Sequence, residues 1–312
     1  MNFKNKIIMN KPVVSVFILT YNQEQFIAQT LDSILMQKTN FNYQLVIGED
    51  CSTDSTRTIC ENYAVKYGDR IMLLPALEKN IGLINNYMRT IAECNGKYIA
   101  ICDGDDYWID DYKLQKQVDF LEQNPDYSIV YTALQRLFPN GEIKEYNYHL
   151  NKRVLNFDDL IFDNFMHSVT VVFKNVLNEK NRLPEWILKF PFGDWQTYLW
   201  TIKNGGKIHF LKDVTASYRM DIGLSAVYMK KNSAFLKRLI SLLEEVYQDE
   251  HFYHKKEIIA KSIFNKKRNL MTSLNREKSY FKGLLLFLVL LLKTNGKIKL
   301  SKLYLYSIYK SI

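Results

Sequence analysis

The chain has 312 residues, of which 47% are hydrophobic and 24% are charged, and its net charge at pH 7 is +9. This length and composition allow a sizeable buried core, which excludes a disordered or fibrous chain and favours one large domain, alone or with an appendage. The basic excess lies at the C-terminal end, where residues 227–312 carry 18 Lys and Arg against six Asp and Glu. Such asymmetry points to an anionic surface as a partner.

The cysteines and the N-terminus indicate the cellular compartment in which the protein resides. The four cysteines show neither CxxC spacing nor a His/Cys ligand pattern. We predict that they are reduced thiols in a cytoplasmic protein. The basic N-terminus has an apolar run of only three residues, from Ile7 to Met9, which is too short for a signal peptide.

The first hundred residues alternate between strand and helix patterns. An apolar, β-branched run at 13–19 predicts a strand, and the loop TYNQE and a helix to Leu35 follow it. Further strands are predicted at 43–48, 71–75 and 97–102, with helices between them. This alternation predicts an α/β fold with a mostly parallel sheet and helices on both faces. The loops TYNQE, EDCSTD and DGDD should therefore share the sheet edge at which ligands bind.

The later elements are less regular. We predict a helix around Leu114–Leu121, strands at 128–132, 168–173 and 207–211, and a helix that begins at Asp194. From about Tyr228 onward the pattern is helical. The run LLLFLVLLL at 284–292 is apolar all round, but at about 1.5 Å per residue it spans roughly half of a bilayer core, so we expect no membrane crossing.

The DGDD cluster at 103–106 carries the most specific chemistry. No GxGxxG follows the first strand and no GxxxxGK[ST] occurs, which argues against a dinucleotide oxidoreductase and a P-loop enzyme. Carboxylate oxygens ligate Mg²⁺ or Mn²⁺ together with a substrate's phosphates. The alternative is a solvated acidic turn that caps the next helix. The position after a buried strand, beside two other acidic loops, favours the metal site.

A family resemblance rests on five segments: SVFILTYNQEQFIAQTLDSIL, YQLVIGEDCSTDST, NIGLINNYMRTIAECNGKYIAICDGDDYW, FGDW and SYRM. Their order and spacing resemble the family 2 nucleotide-sugar glycosyltransferases of the GT-A fold. The resemblance covers residues 13–225 and implies a Rossmann-like catalytic domain over 1–225, followed by a basic, helical C-terminal extension over 226–312. It implies transfer of a sugar, expected to be UDP-linked, to a glycan or lipid-linked acceptor in surface polysaccharide biosynthesis.

The resemblance also implies roles for single residues. It assigns the nucleotide to a set of loop residues, which are Thr20, Tyr21, Asn22, Glu24, Asp50 and Asp103. Asp105 would ligate the Mn²⁺ or Mg²⁺ that holds the diphosphate, with Asp106 as a helper. Asp194 of FGDW would be the base that takes the acceptor's proton, and a single carboxylate in that role implies one displacement with inversion. The alternative role of Asp194 is that of a helix N-cap, and the same alternative applies to Asp54.

One segment departs from the family pattern. Where many relatives carry YRxH, this chain has YRMD at 218–221. Asp221 is therefore a candidate metal ligand and Arg219 a candidate phosphate contact. His167 has either a structural role or one in the acceptor site, and Trp108 and Trp195 either stack on sugar rings or pack in the core.

Other functions fit the motifs less well. A DxD phosphohydrolase of the haloacid dehalogenase kind would have Thr or Val two positions after its second Asp, and this chain has Tyr107 there. A catalytically inactive nucleotide-sugar-binding module would not need Asp194. No nucleic-acid-binding motif occurs, and without a QxxRW motif we expect one sugar per encounter.

The basic C-terminal extension has two readings. Lysine and arginine clusters at 266–268 and 297–302 flank the apolar run, which favours a peripheral location on the cytoplasmic face of a membrane. Alternatively, these helices pack on the catalytic domain or on a second subunit as an oligomer.

Overall fold

The structure is a computed structural model, and it describes residues 11–146, 154–222 and 233–311. It divides into two compact units, which are Met1–Phe157 with Phe165–Asp221, and Asp158–Asn164 with Ile222–Ile312. We call them the N-terminal unit and the C-terminal unit. The predicted division between residues 225 and 226 lies outside the described residues and stays a prediction.

The N-terminal unit contains a ten-stranded sheet. Its strands are β1 Val14–Thr20, β2 Tyr43–Glu49, β3 Ile71–Leu73, β4 Tyr98–Ile101, β5 Tyr107–Trp108, β6 Tyr127–Leu137, β7 Ile143–Tyr146, β8 Val154–Leu155, β9 Val172–Lys174 and β10 Lys207–Arg219. The helices described up to residue 201 are α1 Ile27–Leu35, α2 Thr56–Tyr67, α3 Leu83–Ala92, α4 Lys113–Gln123, α5 Phe157–Leu160 and α6 Asp194–Thr201.

The strand order is β3-β2-β1-β4-β9-β6-β10-β5, with β7 beside β6 and β8 beside β10. The first four strands along the chain pair in parallel, as the alternation of strands and helices predicts. Strand β9 is antiparallel to both β4 and β6, and β10 returns parallel to β6. The sheet is therefore parallel over the predicted half and mixed beyond it.

Strand β1 shows why helices cover both faces. All seven of its residues are buried. Alternate side chains point to opposite faces, so Val16 and Ile18 join a core with Leu31 of α1, whereas the Phe17 ring meets Tyr87 of α3 at 4.8 Å. A strand buried on both faces has no regular polar alternation, which explains why six of the seven residues at 13–19 are apolar.

Two later predictions differ from the structure. The segment SVTVVF at 168–173 is not one strand, because Ser168–Thr170 forms a 3-10 turn and the strand starts at Val172. The hydroxyl of Thr170 donates to the carbonyl oxygen of His167 at 2.7 Å, which stabilises this turn. Strands β6 and β10 run well past their predicted ends, to Leu137 and Arg219.

The C-terminal unit is helical, as predicted from the sequence. Its helices are α7 Ser233–Gln248, α8 Lys256–Arg276, α9 Tyr280–Leu292 and α10 Lys297–Tyr309. A Cβ at Gly283 would lie 2.0 Å from Oδ1 of Asn275, so glycine there allows α9 to approach α8 closely. Among the described helices, none is both long enough and apolar enough to span a bilayer.

Candidate active site

The loops after β1 and β2 are joined by hydrogen bonds. The amide of Thr53 donates to Oδ1 of Asn22 at 2.8 Å, and the amide of Ser55 donates to Oε2 of Glu24 at 2.8 Å. In return, the amide of Glu24 donates to Oδ2 of Asp54 at 3.1 Å. The side chains of Asn22 and Glu24 therefore fix the shape of the predicted nucleotide pocket by linking its two loops.

Asp54 also serves the start of α2. Its Oδ1 accepts from the amide of Thr56 at 2.9 Å, so Asp54 stabilises the first turn although Ser55 occupies the N-cap position. Burial alone would raise the pKa of Asp54, but hydrogen bonds from Thr56 and from the amide of Glu24 lower it.

Asp50 lies buried where β2 ends, with 3% of its surface exposed. Its Oδ1 accepts from the amide of Ile81 at 2.9 Å, and its carbonyl oxygen accepts from Nδ2 of Asn80 at 3.0 Å. Its amide donates to the carbonyl oxygen of Thr20, the last residue of β1. Thr20 and Asp50 are therefore adjacent, and Tyr21 beside them is 43% exposed, which leaves its ring open to a ligand.

The DGDD turn packs closely against the loop after β1. A Cβ at Gly104 would lie 2.4 Å from Oε1 of Gln23 and 2.8 Å from Oγ1 of Thr20, so the turn requires glycine here. Both of these oxygens are buried and have no hydrogen-bond partner among the described residues. Buried polar atoms without a partner ordinarily have one supplied by water or a ligand.

The three aspartates have raised pKa values. Burial, followed by the charge of Asp105, raises the pKa of Asp103 to about 7, against a hydrogen bond from Ser168 that lowers it. Burial also raises the pKa of Asp105, although Arg219 and Gln23 oppose the shift. For Asp106, burial and then the charge of Asp105 raise the pKa well above its usual value.

Arg219 holds the DGDD turn in place through hydrogen bonds. Its amide donates to Oδ1 of Asp106 at 2.9 Å, and its guanidinium donates to the carbonyl oxygen of Asp105 and to Oε1 of Gln29. The guanidinium carbon lies 4.7 Å from the ring centroid of Phe26 and 4.8 Å from that of Tyr107. These contacts engage Arg219 in positioning the aspartates, and they make Asp106 a buried structural partner of β10.

Asp194 begins α6 and lies electrostatically close to the DGDD turn. Its charge acts to raise the pKa of Asp103, and the charges of both aspartates act to raise that of Tyr87. A Cβ at Gly193 would lie 2.7 Å from the Tyr87 ring, and the Tyr87 hydroxyl donates to Oγ1 of Thr197 at 2.9 Å. Tyr87 thus fixes the start of α6, where Asp194 lies close enough to act electrostatically on Asp103.

The donor set at the DGDD turn fits a hard divalent cation. Across the described residues, no group of three or more His, Cys, Asp or Glu side chains is arranged as a metal site. Magnesium and manganese, however, are usually held by one or two carboxylates together with a substrate's phosphates. Burial raises the pKa of both Asp103 and Asp105, and the charge of Asp105 adds to the shift at Asp103, so a cation beside them would favour their charged forms.

Asp221 and His167, two further candidate site residues, lie in different environments. Asp221 is exposed, directly after β10, and has a φ of 61°. His167 is half-buried, and its ring meets the rings of Tyr146 and Tyr218 edge-on at 5.2 Å each. Burial, with the charge of Arg136, lowers the pKa of His167 to about 4. This packing favours the structural role for His167.

Both tryptophans beside the acidic motifs are core residues. Trp108 is 1% exposed and its Nε1 donates to the carbonyl oxygen of Val169 at 3.0 Å. Trp195 is 2% exposed. Packing, rather than stacking on a sugar ring, is the role that this burial supports.

Several residues that hold the DGDD turn in place were not predicted from the sequence. Oγ1 of Thr30 lies 2.6 Å from the carbonyl oxygen of Asp106 and 3.0 Å from that of Gly104, and the hydroxyl of Ser168 donates to Oδ2 of Asp103 at 2.9 Å. Gln29 pairs with Arg219 across 190 residues of chain. The one local signal in the sequence was the polar pair Gln29 and Thr30 within the amphipathic helix α1.

Comparison with known proteins gives a consistent picture. The model of the family described as "Glycosyl transferase family 2" matches residues 15–180. The putative teichuronic acid biosynthesis glycosyltransferase TuaG of Bacillus subtilis is 28% identical over 210 residues, covering 67% of this chain and 80% of TuaG. Uncharacterised mycobacterial proteins are 31% identical over 208 residues, and the chain spans 58% of their length.

Two solved structures share the fold. S. aureus TarS 1–349 in complex with UDP-GlcNAc superposes with a TM-score of 0.61 at 18% identity, covering 85% of this chain and 82% of that one. The mannosyltransferase PcManGT from Pyrobaculum calidifontis, in complex with GDP-Man and Mn²⁺, has a TM-score of 0.57 at 16% identity, covering 97% and 88%. The fold predicted from the sequence is confirmed.

Proposed function

The chain belongs to glycosyl transferase family 2, and on that premise we propose that it moves a sugar from a nucleotide-sugar to a glycan or lipid-linked acceptor with inversion at the sugar carbon. One observation carries this proposal. Asp194, at the start of α6, and Asp103, after β4, come from distant parts of the chain and act electrostatically on each other. This coupling supports the assignment of a base and a donor-binding carboxylate to one site.

The proposed step is a single displacement. Asp194 accepts the proton of the acceptor hydroxyl while the acceptor oxygen forms a bond to the anomeric carbon. The bond from that carbon to the diphosphate oxygen breaks, and the nucleoside diphosphate leaves with both electrons. The acceptor and the leaving group lie on opposite sides of the carbon, so its configuration inverts.

Asp105 is the proposed principal ligand of a Mn²⁺ or Mg²⁺ ion, with Asp103 beside it near the ribose. When bound, the cation would supply a Lewis acid for the leaving diphosphate. The guanidinium of Arg219, itself paired with Oε1 of Gln29, donates to the Asp105 carbonyl oxygen and thereby positions the backbone of Asp105. Asp221, exposed at the end of β10, remains a candidate third ligand.

The proposed donor is UDP-linked. Thr20, Tyr21, Asn22, Glu24 and Asp50 would receive its base and ribose, since their loops meet at the sheet edge. The name of TuaG, which refers to teichuronic acid, supports surface polysaccharide as the acceptor class. The TarS complex with UDP-GlcNAc supports a UDP-sugar.

We place the reaction in the cytoplasm, at a membrane. The four cysteines are free thiols in the structure, and three of them are buried, as suits a reducing compartment.

The test is a screen of nucleotide-sugars by thermal shift and by release of nucleoside diphosphate, each with and without Mn²⁺. We expect UDP-sugars to raise Tm in the presence of Mn²⁺ and to release UDP. An Asp105→Asn variant should lose the metal-dependent part of both signals, whereas Asp119→Asn, on the exposed face of α4, should retain it. A shift without any turnover of any donor would instead indicate a binding module.

A further inference from the structure

Helix α9 is apolar on two faces, and only one of them is covered within the C-terminal unit. Its inner side packs Leu286, Phe287 and Leu290 against a small core that contains Met271 and Tyr304. The rings of Phe287 and Tyr304 stack with centroids 4.4 Å apart. This side accounts for the attachment of α9 to its own unit.

The outer side forms a continuous apolar stripe. Six residues recur at spacings of three, one, three, one and three, which places them on one face of a helix. They are Phe281, Leu284, Leu285, Leu288, Val289 and Leu292, with exposed fractions from 39% to 86%. A helix that is apolar all round is ordinarily buried, and a contiguous exposed stripe of this kind marks an interaction surface.

The surroundings of the stripe are strongly basic. Residues 278–312 contain seven lysines and no aspartate or glutamate. Within the part of this segment that the structure describes, Lys282, Lys293, Lys297, Lys299 and Lys302 are all exposed, and none forms a salt bridge. A depression of about 690 Å³ opens where α9 turns into α10, lined by Asn295, Gly296, Lys297, Ile298, Lys299 and Lys302.

We propose that the α9 stripe and these lysines dock the protein on the surface of an anionic lipid bilayer. Apolar side chains enter the region between headgroups and acyl chains, while lysines at both ends of the stripe meet lipid phosphates. The depression at the turn, with three lysines around one isoleucine, has the chemistry of a headgroup site. Helix α9 lies in the interface plane, because its 13 residues cover about 20 Å, less than a bilayer core.

Charge argues against a second copy of the chain as the occupant. A two-fold interface places the same surface opposite itself, so it would bring one lysine-rich segment against another with no carboxylate between them. An anionic bilayer complements both the apolar stripe and the positive charge.

The full chain is tested by flotation with vesicles of phosphatidylcholine alone and of phosphatidylcholine with 30% phosphatidylglycerol. We expect binding to the anionic vesicles, weakened by 0.5 M NaCl, and at least tenfold weaker binding to the neutral ones. Leu292→Glu should reduce binding to the anionic vesicles about tenfold or more. Val65→Glu is the matched control, because Val65 on α2 is likewise 86% exposed, and it should bind normally.

A second pair of variants separates charge from apolar contact. Replacing Lys297, Lys299 and Lys302 together by Gln should weaken binding roughly 100-fold, whereas the same change at Lys11, Lys66 and Lys212 should weaken it far less. Thermal unfolding must be unchanged in each variant used. The proposal would be overturned if the chain did not bind vesicles, or if it bound neutral and anionic vesicles equally. It would also be overturned if the chain formed a dimer that Leu292→Glu dissociates and bound no vesicles.

Discussion

The backbone amide of Arg219, the last residue of β10, donates to Oδ1 of Asp106 at 2.9 Å across 113 residues of chain. The same arginine donates through its guanidinium to the carbonyl oxygen of Asp105. The acidic turn after β4 is therefore held in place by the end of a strand that forms much later in the sequence.

The first prediction concerns this link. Arg219→Ala should destabilise the N-terminal unit by about 3 kcal/mol and weaken donor binding, because the acidic turn loses its charged hydrogen bonds. Arg219 and Gln29 variants should also be non-additive by more than about 0.5 kcal/mol. Urea unfolding followed by tryptophan fluorescence is suitable, since all four tryptophans lie in this unit.

Arg70→Ala serves as the control for that prediction. Arg70 also contacts an aromatic ring and a hydroxyl, both of Tyr43, but away from the acidic turn. It should lower stability without changing donor affinity. Equal effects of the two variants on donor affinity would show that Arg219 does not position the turn.

The second prediction concerns the close approach at Gly104. Gly104→Ala places a Cβ 2.4 Å from Oε1 of Gln23, which should cost about 1–3 kcal/mol and displace the turn from its donor-binding shape. Gly296→Ala is the matched control, since its nearest atom would lie 3.5 Å away. Tm and donor-induced thermal shift measure both effects, and a fully stable, donor-binding Gly104→Ala would refute the steric argument.

The third prediction is a pH dependence. Burial lowers the pKa of Lys113 to about 7 in the folded chain. Its unfolded pKa is about 10.4, so between these values the unfolded state binds more protons and stability from this group rises with pH, by up to about 1.4 kcal/mol per pH unit. Lys113→Met should flatten the rise of unfolding free energy between pH 7 and 9.

Lys116→Met, on the same helix, is the comparison. Hydrogen bonds to Asp110 and then Asp213 raise the pKa of Lys116, so it stays protonated in both states over this range. Its removal should leave the slope unchanged. A Lys113 variant that retains the full slope would assign the pH dependence to another group.

Much of the fold could be predicted because the residue pattern within each strand or loop determines it. Strand β1 is buried on both faces, so six of the seven residues at 13–19 are apolar, and Asp54 in the loop after β2 binds the amide of Thr56, the first residue of α2. Local patterns also locate the DGDD turn and Asp194. The turn at Ser168–Thr170 escaped prediction, because β-branched residues favour a strand until the hydrogen bond from Thr170 to His167 is known.

The roles of several site residues could not be read from the sequence because their partners are distant in the chain. Nothing local in the sequence indicates that Arg219 binds the Asp105 carbonyl oxygen and Gln29, whereas its predicted contact with a phosphate stays a prediction. The burial of Trp195 is likewise a tertiary property. The sequence left stacking on a sugar and packing in the core as alternatives for Trp195, and its burial supports packing.

Asp194 is the residue that we propose takes the acceptor's proton. The most direct measurement compares Asp194→Asn with the unchanged chain and with Asp119→Asn, by Mn²⁺-dependent thermal shift with the donor and by the rate of nucleoside diphosphate release. We expect Asp194→Asn to retain donor binding while its rate falls by about 10²–10⁴-fold, and Asp119→Asn to retain both. Undiminished release by a donor-binding Asp194→Asn would contradict it.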